Sequence, residues 1–118
     1  MSRVFIVEPP CVNVEKAKKY GKLIILLQDQ PRVSAIDCDY YAGSAIEALE
    51  KQEYNPKEDF FCLVGAMSSV TVVVAAMITR WGSIRALIFN GSRGEYVLRT
   101  LGKWRYREKW TDVEQQLD

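Results

Sequence analysis

The loop with the clearest chemical potential is 65–69, GAMSS, which lies between a short apolar run and a longer apolar segment that ends at Gly82. The start of a helix offers free backbone N–H groups and a partial positive charge, so it can bind an anion, and Gly65 would let a ligand approach the backbone closely. The alternative is structural: Ser68 or Ser69 caps the helix and stabilises it by about 1 kcal/mol. The loop matches neither the P-loop nor the dinucleotide-binding pattern, so its residues alone leave both interpretations open.

Further polar residues are candidates for the same site. Glu8 follows an apolar run and precedes two prolines, where its carboxylate could act as a general base or accept a hydrogen bond from a ribose hydroxyl. It would also repel a phosphate placed on the serines, and a solvated or salt-bridged carboxylate is the simpler alternative. Asn90 and Arg93, in the turn-forming sequence NGSRG, would lie nearby. The candidate ligand site therefore comprises Glu8, Gly65, Ser68, Ser69, Asn90 and Arg93.

A second candidate site is the C-terminal run 103–110, KWRYREKW, in which basic and aromatic residues alternate. In an extended chain successive side chains point to opposite faces, so the basic side chains would share one face and the aromatic side chains the other. Proteins that bind single-stranded nucleic acids place basic side chains on the phosphates and stack aromatic side chains on the nucleobases. The alternative is an edge strand that buries its rings on the domain or on a second subunit. The residues concerned are Lys103, Trp104, Arg105, Tyr106, Arg107, Lys109 and Trp110.

The composition excludes several classes of chemistry. The chain has 118 residues, 48% of them hydrophobic, which suits one globular domain, and its formal net charge of +1 favours no class of partner. The absence of histidine, with three widely spaced cysteines, excludes His-based triads and the usual zinc spacings. We therefore expect reduced thiols, no metal, no cofactor and a cytoplasmic location. The longest apolar stretch, 70–78, falls well short of the ~20 residues that span a membrane, so no membrane contact is expected.

Apolar runs predict strands at 3–7, 22–27, 60–64, 84–89 and 95–101. Helices are predicted at 14–20, from Asp37 or Asp39 to about residue 54, at 70–81, and in a short segment after Thr111. Segment 70–81 is rich in β-branched residues, which favour strands, but its length, the serines before it and Gly82 after it favour a helix. A helix so apolar on every side lies deep in the domain or meets another subunit.

Strands that alternate with helices predict an α/β fold with right-handed crossovers. We expect a Rossmann-like three-layer sandwich with a mainly parallel sheet of order 2-1-3-4 and an antiparallel edge strand 5. Residues 1–101 would form a single domain, and 102–118 a basic and aromatic extension that ends in a short helix. In this order the winding reverses between strands 1 and 3, and open α/β sheets bind ligands at the carboxyl ends of such strands.

Several short motifs of the chain recur in one known family. The chain opens with Val4-Phe5-Ile6-Val7 followed by proline, continues with an Ala-x-x-Tyr-Gly segment at 17–21, and then has acidic, aromatic and apolar residues that run to Gly65 and an alanine-rich helix. In these features, over residues 3–101, it resembles a family of small uncharacterised proteins encoded by phages and other mobile elements of bacteria. The resemblance implies such an origin and an α/β sandwich, but no established activity.

The family has Gly-Asp-Pro at positions 65–67, where this chain has GAM, so no acidic residue is carried over. A fainter resemblance, in the order of elements only, is to small CRISPR-associated ring nucleases that bind cyclic oligoadenylates. Those proteins also place a glycine-containing loop between a strand and a helix and end in a hairpin. Matching catalytic residues are absent from this chain.

These patterns support three functional hypotheses. The leading one is a phage or mobile-element accessory protein of the host cytoplasm that acts as a non-enzymatic binding and assembly module through self-association as a homo-oligomer. The alternative is a protein that binds a nucleotide or cyclic oligonucleotide, or a ring-nuclease-like enzyme, at the strand-order reversal. The third is a single-stranded nucleic-acid binder that uses the C-terminal run.

Overall fold

The computed structural model of the chain describes residues 2–29 and 37–102. Their elements, in order, are β1 (Arg3–Ile6), a 3₁₀ helix (Glu15–Tyr20), β2 (Lys22–Ile25), α1 (Cys38–Lys51), β3 (Phe60–Cys62), α2 (Met67–Trp81), β4 (Ser83–Asn90) and β5 (Glu95–Gly102). Each predicted strand is present, with ends that differ from the prediction by no more than two residues. The helix predicted after Thr111 lies outside the described residues.

The strands form one sheet of order β2-β1-β3-β4-β5. β1 pairs in parallel with both β2 and β3, and β3 pairs in parallel with β4, whereas β5 returns antiparallel to β4. The last pair is antiparallel because the connection from Asn90 to Glu95 is a tight turn, and a parallel crossover needs a dozen or more residues. The predicted α/β class and strand order are confirmed, and the winding reverses between β1 and β3.

Helices α1 and α2 cover one face of the sheet. Residues at helical spacing, Tyr41, Ala45 and Leu49, form the inner stripe of α1, and the sheet contributes Phe5 and Phe61. These side chains are almost completely buried, and each large one stabilises the fold by about 1.5–3 kcal/mol relative to an exposed position. This core holds the carboxyl ends of β1 and β3 beside the start of α2.

The 3₁₀ helix covers the opposite face with a thinner layer. Val14 and Ala17 pack on Val4, Ile6 and other sheet residues that alternate with those of the first core. Because this layer is only six residues long, the β4–β5 end of the face is less covered. Phe89 and Leu98 are 51% and 36% exposed there.

The start of α1 confirms the predicted aspartate cap. Asp37 is the N-cap residue, and its side chain accepts hydrogen bonds from the backbone N–H groups of Asp39 at 2.8 Å and Tyr40 at 3.2 Å. The helix ends at Lys51, before the predicted end near residue 54. Glu53 adopts a positive φ of 56°, which a continuing α-helix does not allow.

Helix α2 is a helix despite its β-branched residues, and it buries one stripe rather than every face. Ser69, Val73 and Met77 are fully buried, with valines beside them packed against the same core. The opposite side presents Met67 together with short side chains, Thr71, Ala75 and Thr79, which are exposed. Tertiary packing therefore overrides strand propensity, and the helix lies against the sheet and α1 without being enclosed.

Candidate functional site

A crevice opens where the strand order reverses, at the carboxyl ends of β1, β3 and β4. It has a volume of about 490 Å³ and is lined by Val12, Asn13, Leu63, Val64, Gly65, Phe89 and Tyr96. We call this the switch-point crevice. Two recesses of about 230 Å³ share residues with it, one bounded by Cys11 and Ala66 and the other by Lys16 and Gly94. Of the six residues predicted for the site, Gly65 is the one that lines the crevice.

Two aromatic rings form the outer wall of the switch-point crevice. Phe89 and Tyr96 are directly opposed across β4 and β5, and their ring centroids lie 5.3 Å apart at an interplanar angle of 68°. Tyr96 is buried, whereas half of Phe89 is exposed, and Val12 beside the crevice is 60% exposed. Such a wall suits an apolar or aromatic group, which can pack on the ring edges and faces.

Glu8 lies at the start of α2 and is almost fully buried. Its Oε1 accepts a hydrogen bond of 2.8 Å from the backbone N–H of Ala66, the N-cap residue of the helix. A carboxylate here interacts favourably with the helix dipole. The chain's own carboxylate therefore lies at the anion-binding end of α2, and a phosphate bound at the same point would meet a like charge.

The predicted serine cap is wrong. The N-cap residue is Ala66, with φ of −61° and ψ of 137°, and Ser68 and Ser69 lie inside the first turn of the helix. Ser68 is exposed, whereas Ser69 is fully buried and its Oγ has no hydrogen-bond partner among the residues that the structure describes. Glu8, distant in sequence, makes the contact expected of a capping side chain.

Replacing Ser69 with alanine is expected to raise the free energy of unfolding by about 1 kcal/mol, because it removes an unpaired buried hydroxyl and introduces a better helix former. Urea unfolding followed by circular dichroism measures the change. The exposed Ser68→Ala is the matched control and should change stability by less than about 0.5 kcal/mol. A loss of stability in Ser69→Ala would show that the buried hydroxyl makes a favourable contact and would contradict its unpaired state.

Asn90 and Arg93 lie in the turn between β4 and β5. Asn90 Oδ1 accepts from the backbone N–H of Ser92 at 3.0 Å and of Arg93 at 3.4 Å, so this side chain stabilises the turn. The Arg93 guanidinium lies 3.7 Å from Glu95 and is largely exposed. Neither residue is among those that line the switch-point crevice.

The Cys62 thiol and the Tyr96 hydroxyl form a buried pair behind the crevice. Burial raises the pKa of Cys62 to about 11, although the Tyr96 hydroxyl beside it acts in the opposite direction. Burial, together with the neighbouring thiol, raises the pKa of Tyr96 to about 12. Both groups are therefore protonated at neutral pH, and Cys62 is a poor nucleophile.

Thiol labelling distinguishes the cysteines. Cys11 and Cys38 are exposed and none of the three forms a disulfide, so two thiols should react with iodoacetamide at pH 7.5 in the native protein. Cys62 should react only after unfolding, because the thiolate is the reactive species and burial opposes its formation. Mass spectrometry of the labelled protein counts the adducts. Rapid native labelling of Cys62 would contradict its placement in the core.

The basic and aromatic run proposed for nucleic-acid binding, with Lys103, Trp104, Arg105, Tyr106, Arg107, Lys109 and Trp110, lies outside the described residues. Its role stays a prediction. Within residues 2–29 and 37–102, no group of three or more potential ligand side chains could hold a metal ion. In the same residues, no helix is long and apolar enough to cross a membrane.

Over residues 2–29 and 37–102, the fold and the crevice define an α/β protein with a mixed five-stranded sheet and an apolar recess at the strand-order reversal. No family model, curated protein or solved structure matches the chain. The contacts of its own residues are therefore the basis for a functional proposal.

Proposed function

We propose that this chain is a non-enzymatic binding and assembly module that works by self-association through its β4–β5 hairpin. The observation that carries the proposal is the outer edge of β5. This strand has eight residues and ends the sheet, and no other strand in the described part of the chain pairs with its outer side. A long exposed edge presents a row of backbone donors and acceptors, which is a template for pairing with another chain.

The opposite edge of the sheet differs in a way that supports this choice. β2 has four residues and begins with the exposed Lys22, and short edge strands with lysine resist pairing. β5 is twice as long and contains neither lysine nor proline. The exposed Phe89 and Leu98 lie on one face of the same hairpin and add apolar surface next to the edge.

Two contacts support a binding role over a catalytic one. The Glu8 carboxylate, the candidate general base, is directed to the Ala66 N–H at the start of α2. The Cys62 thiol, which contacts the hydroxyl of the wall residue Tyr96, has a raised pKa and stays protonated at neutral pH. The origin in a phage or other mobile element stays a prediction.

Sedimentation velocity over a wide concentration range, together with native mass spectrometry, tests self-association. We expect a dimer or a larger defined assembly that dissociates on dilution. A monomer at every concentration, including the highest that stays soluble, would overturn the proposal. The complete chain should be used, since the contribution of 103–118 to assembly is untested.

A second candidate function is ligand binding in the switch-point crevice, favoured by the half-exposed Phe89 ring beside Tyr96. A nucleobase could stack there. The Glu8 carboxylate at the start of α2 disfavours a phosphate at that point, so a nucleoside suits the crevice better than its monophosphate.

Calorimetric titration with adenosine and AMP tests this candidate. Adenosine should bind more tightly than AMP, and Phe89→Ala should weaken its binding, whereas Leu98→Ala on the same face of the hairpin serves as the matched control. Binding of AMP in preference to adenosine, unaffected by Phe89→Ala, would contradict the site. Incubation with cyclic oligoadenylates under the same conditions would reveal a ring-nuclease activity, if the alternative enzymatic hypothesis holds.

A further inference from the structure

We propose that β5 pairs antiparallel with β5 of a second copy about a two-fold axis that passes through Val97. The inference rests on the proposed self-association and specifies its surface and register. Two five-stranded sheets would thereby join into one continuous sheet, with the helices of both copies on the same face.

The symmetry of such a pair restricts its register. In an antiparallel pair, directly opposed residues point to the same face of the sheet, and along one strand successive residues alternate between faces. A residue can therefore face only itself or residues an even number of positions away. The two-fold axis must then pass through a residue, not between two residues.

The register centred on Val97 is chemically self-complementary. It opposes Glu95 of one copy to Arg99 of the other, twice by symmetry. It also opposes Tyr96 to Leu98 on the 3₁₀-helix face and Val97 to itself on the face that carries α1 and α2. Opposite charges and an aromatic ring beside an aliphatic side chain are favourable cross-strand pairs.

Neighbouring registers lack this complementarity. An axis through Leu98 would place Val97 against Arg99, and an axis through Tyr96 would place Arg93 against Arg99. An axis through Glu95 or Arg99 would oppose each of these charges to itself. Like charges directly opposed across two strands are destabilising.

The charged side chains at this edge are available for pairing. The Glu95 side chain is 39% exposed, and its contact with the exposed Arg93 guanidinium, at 3.7 Å, is of a kind that contributes little. Arg99 is exposed, and its Nη1 donates to the carbonyl oxygen of its neighbour Leu98 at 2.8 Å. That local contact engages a backbone acceptor of the edge strand, and pairing with a second copy would replace it.

Charge reversal tests the register. Glu95→Arg and Arg99→Glu each create two like-charged pairs, and each should raise the dimer dissociation constant about tenfold. The double variant restores opposite charges in swapped positions and should bind within about threefold of the natural protein. Lys51→Glu, a charge reversal of the same size on the exposed side of α1, is the matched control and should leave the dissociation constant unchanged. Failure of the double variant to recover would overturn the register.

A cysteine at the axis tests the surface independently of charge. In a background of Cys11→Ser and Cys38→Ser, Val97→Cys would place two thiols opposite each other, close enough for a disulfide. Mild oxidation should yield a covalent dimer from Val97→Cys and little from Thr100→Cys, whose position would face Gly94.

The outcomes separate this inference from the proposed function. A dimer in sedimentation with neither cross-linking at position 97 nor charge rescue would overturn the β5 surface and leave self-association standing. That result would also be expected if the segment 103–118 of the chain covered the edge. A monomer under all conditions would overturn both, whereas preferential cross-linking of Thr100→Cys would overturn the register alone.

Discussion

Replacing Asp59 with alanine is expected to lower the free energy of unfolding by about 3 kcal/mol, because it removes one partner of a buried charge pair. Asp59 is only 2% exposed, and its carboxylate accepts from the backbone N–H of Arg3 at 3.1 Å, from the Arg3 Nη2 at 2.9 Å and from the backbone N–H of Asn55 at 2.8 Å. The contact joins the start of β1 to the start of β3. The Arg3 guanidinium also donates to the carbonyl oxygens of Gln52 and Glu53, which fixes the loop after α1.

The expected loss lies at the lower end of the range for breaking a buried pair, because the Arg3 side chain is one quarter exposed and can recover some hydration. Asp59→Asn keeps one acceptor oxygen but loses the charge, so about 1.5–2 kcal/mol should be lost. Glu58→Ala, at an exposed neighbouring position, should change stability by less than about 0.5 kcal/mol.

Urea unfolding of the three variants at constant slope measures these differences. If Asp59→Ala does not fold, the unfolding free energies of Asp59→Asn and Glu58→Ala can still be compared, and they test whether the buried charge pair stabilises the fold. If Asp59→Ala lowered the free energy of unfolding by less than about 1 kcal/mol, the buried carboxylate would contribute little to the stability of the fold.

The strand order could be predicted because its signals are local. Each buried strand is a short apolar run bounded by prolines, glycines or polar residues, and right-handed crossovers leave few ways to arrange such strands. The helical state of α2 followed from its length and from Gly82, which has a positive φ of 87° and ends the helix. The partial exposure of α2 could not be predicted from the sequence. Its valines pack against both the sheet and α1, and a sequence does not show which side of a helix each neighbouring element covers.

The contact between Arg3 and Asp59 could not be predicted, because the partners lie 56 positions apart and a single polar pair leaves no periodic pattern. The prediction of the residue that caps α2 was wrong for the same reason. The serines favour a local cap, but Glu8, at the end of a different strand, supplies the contact. Local capping rules describe isolated helices and give way when the tertiary fold brings a better acceptor to the first turn.

The aromatic wall of the crevice could be predicted only to within one residue. The predicted turn 90–94 would oppose Phe89 to Glu95, whereas the observed turn is one residue shorter, so that Asn90 pairs with Glu95 and Phe89 with Tyr96. Aromatic residues in a hairpin are as typical of ordinary packing as of ligand binding, so the two ring types alone do not indicate a site. Asn90 and Arg93, chosen for their polarity, contribute to the turn instead, since short polar side chains after a strand often bond to the backbone of the following residues.

Gly65→Ala is expected to lower the free energy of unfolding by about 2–3 kcal/mol, and its cost should depend on Glu8. Gly65 has a positive φ of 136°, and a Cβ there would lie 2.9 Å from Glu8 Oε1 and 3.3 Å from a methyl group of Val7. Glu8 cannot move aside without losing its bond to the Ala66 N–H. The strain therefore has a backbone part and a part caused by crowding of the carboxylate.

A double-mutant cycle separates the two parts. In the Glu8→Ala background the close approach to the carboxylate is gone, and Gly65→Ala should cost only about 1 kcal/mol, from the unusual backbone conformation and the remaining 3.3 Å approach to Val7. Gly91→Ala is the matched control, because a Cβ at Gly91 meets no atom of residues 2–29 or 37–102 within 4 Å, and stability should change by less than about 0.5 kcal/mol. Equal costs of Gly65→Ala in both backgrounds would mean that the carboxylate does not occupy the start of α2. That end of the helix would then be open to an anionic ligand, and the case for a phosphate in the switch-point crevice would return.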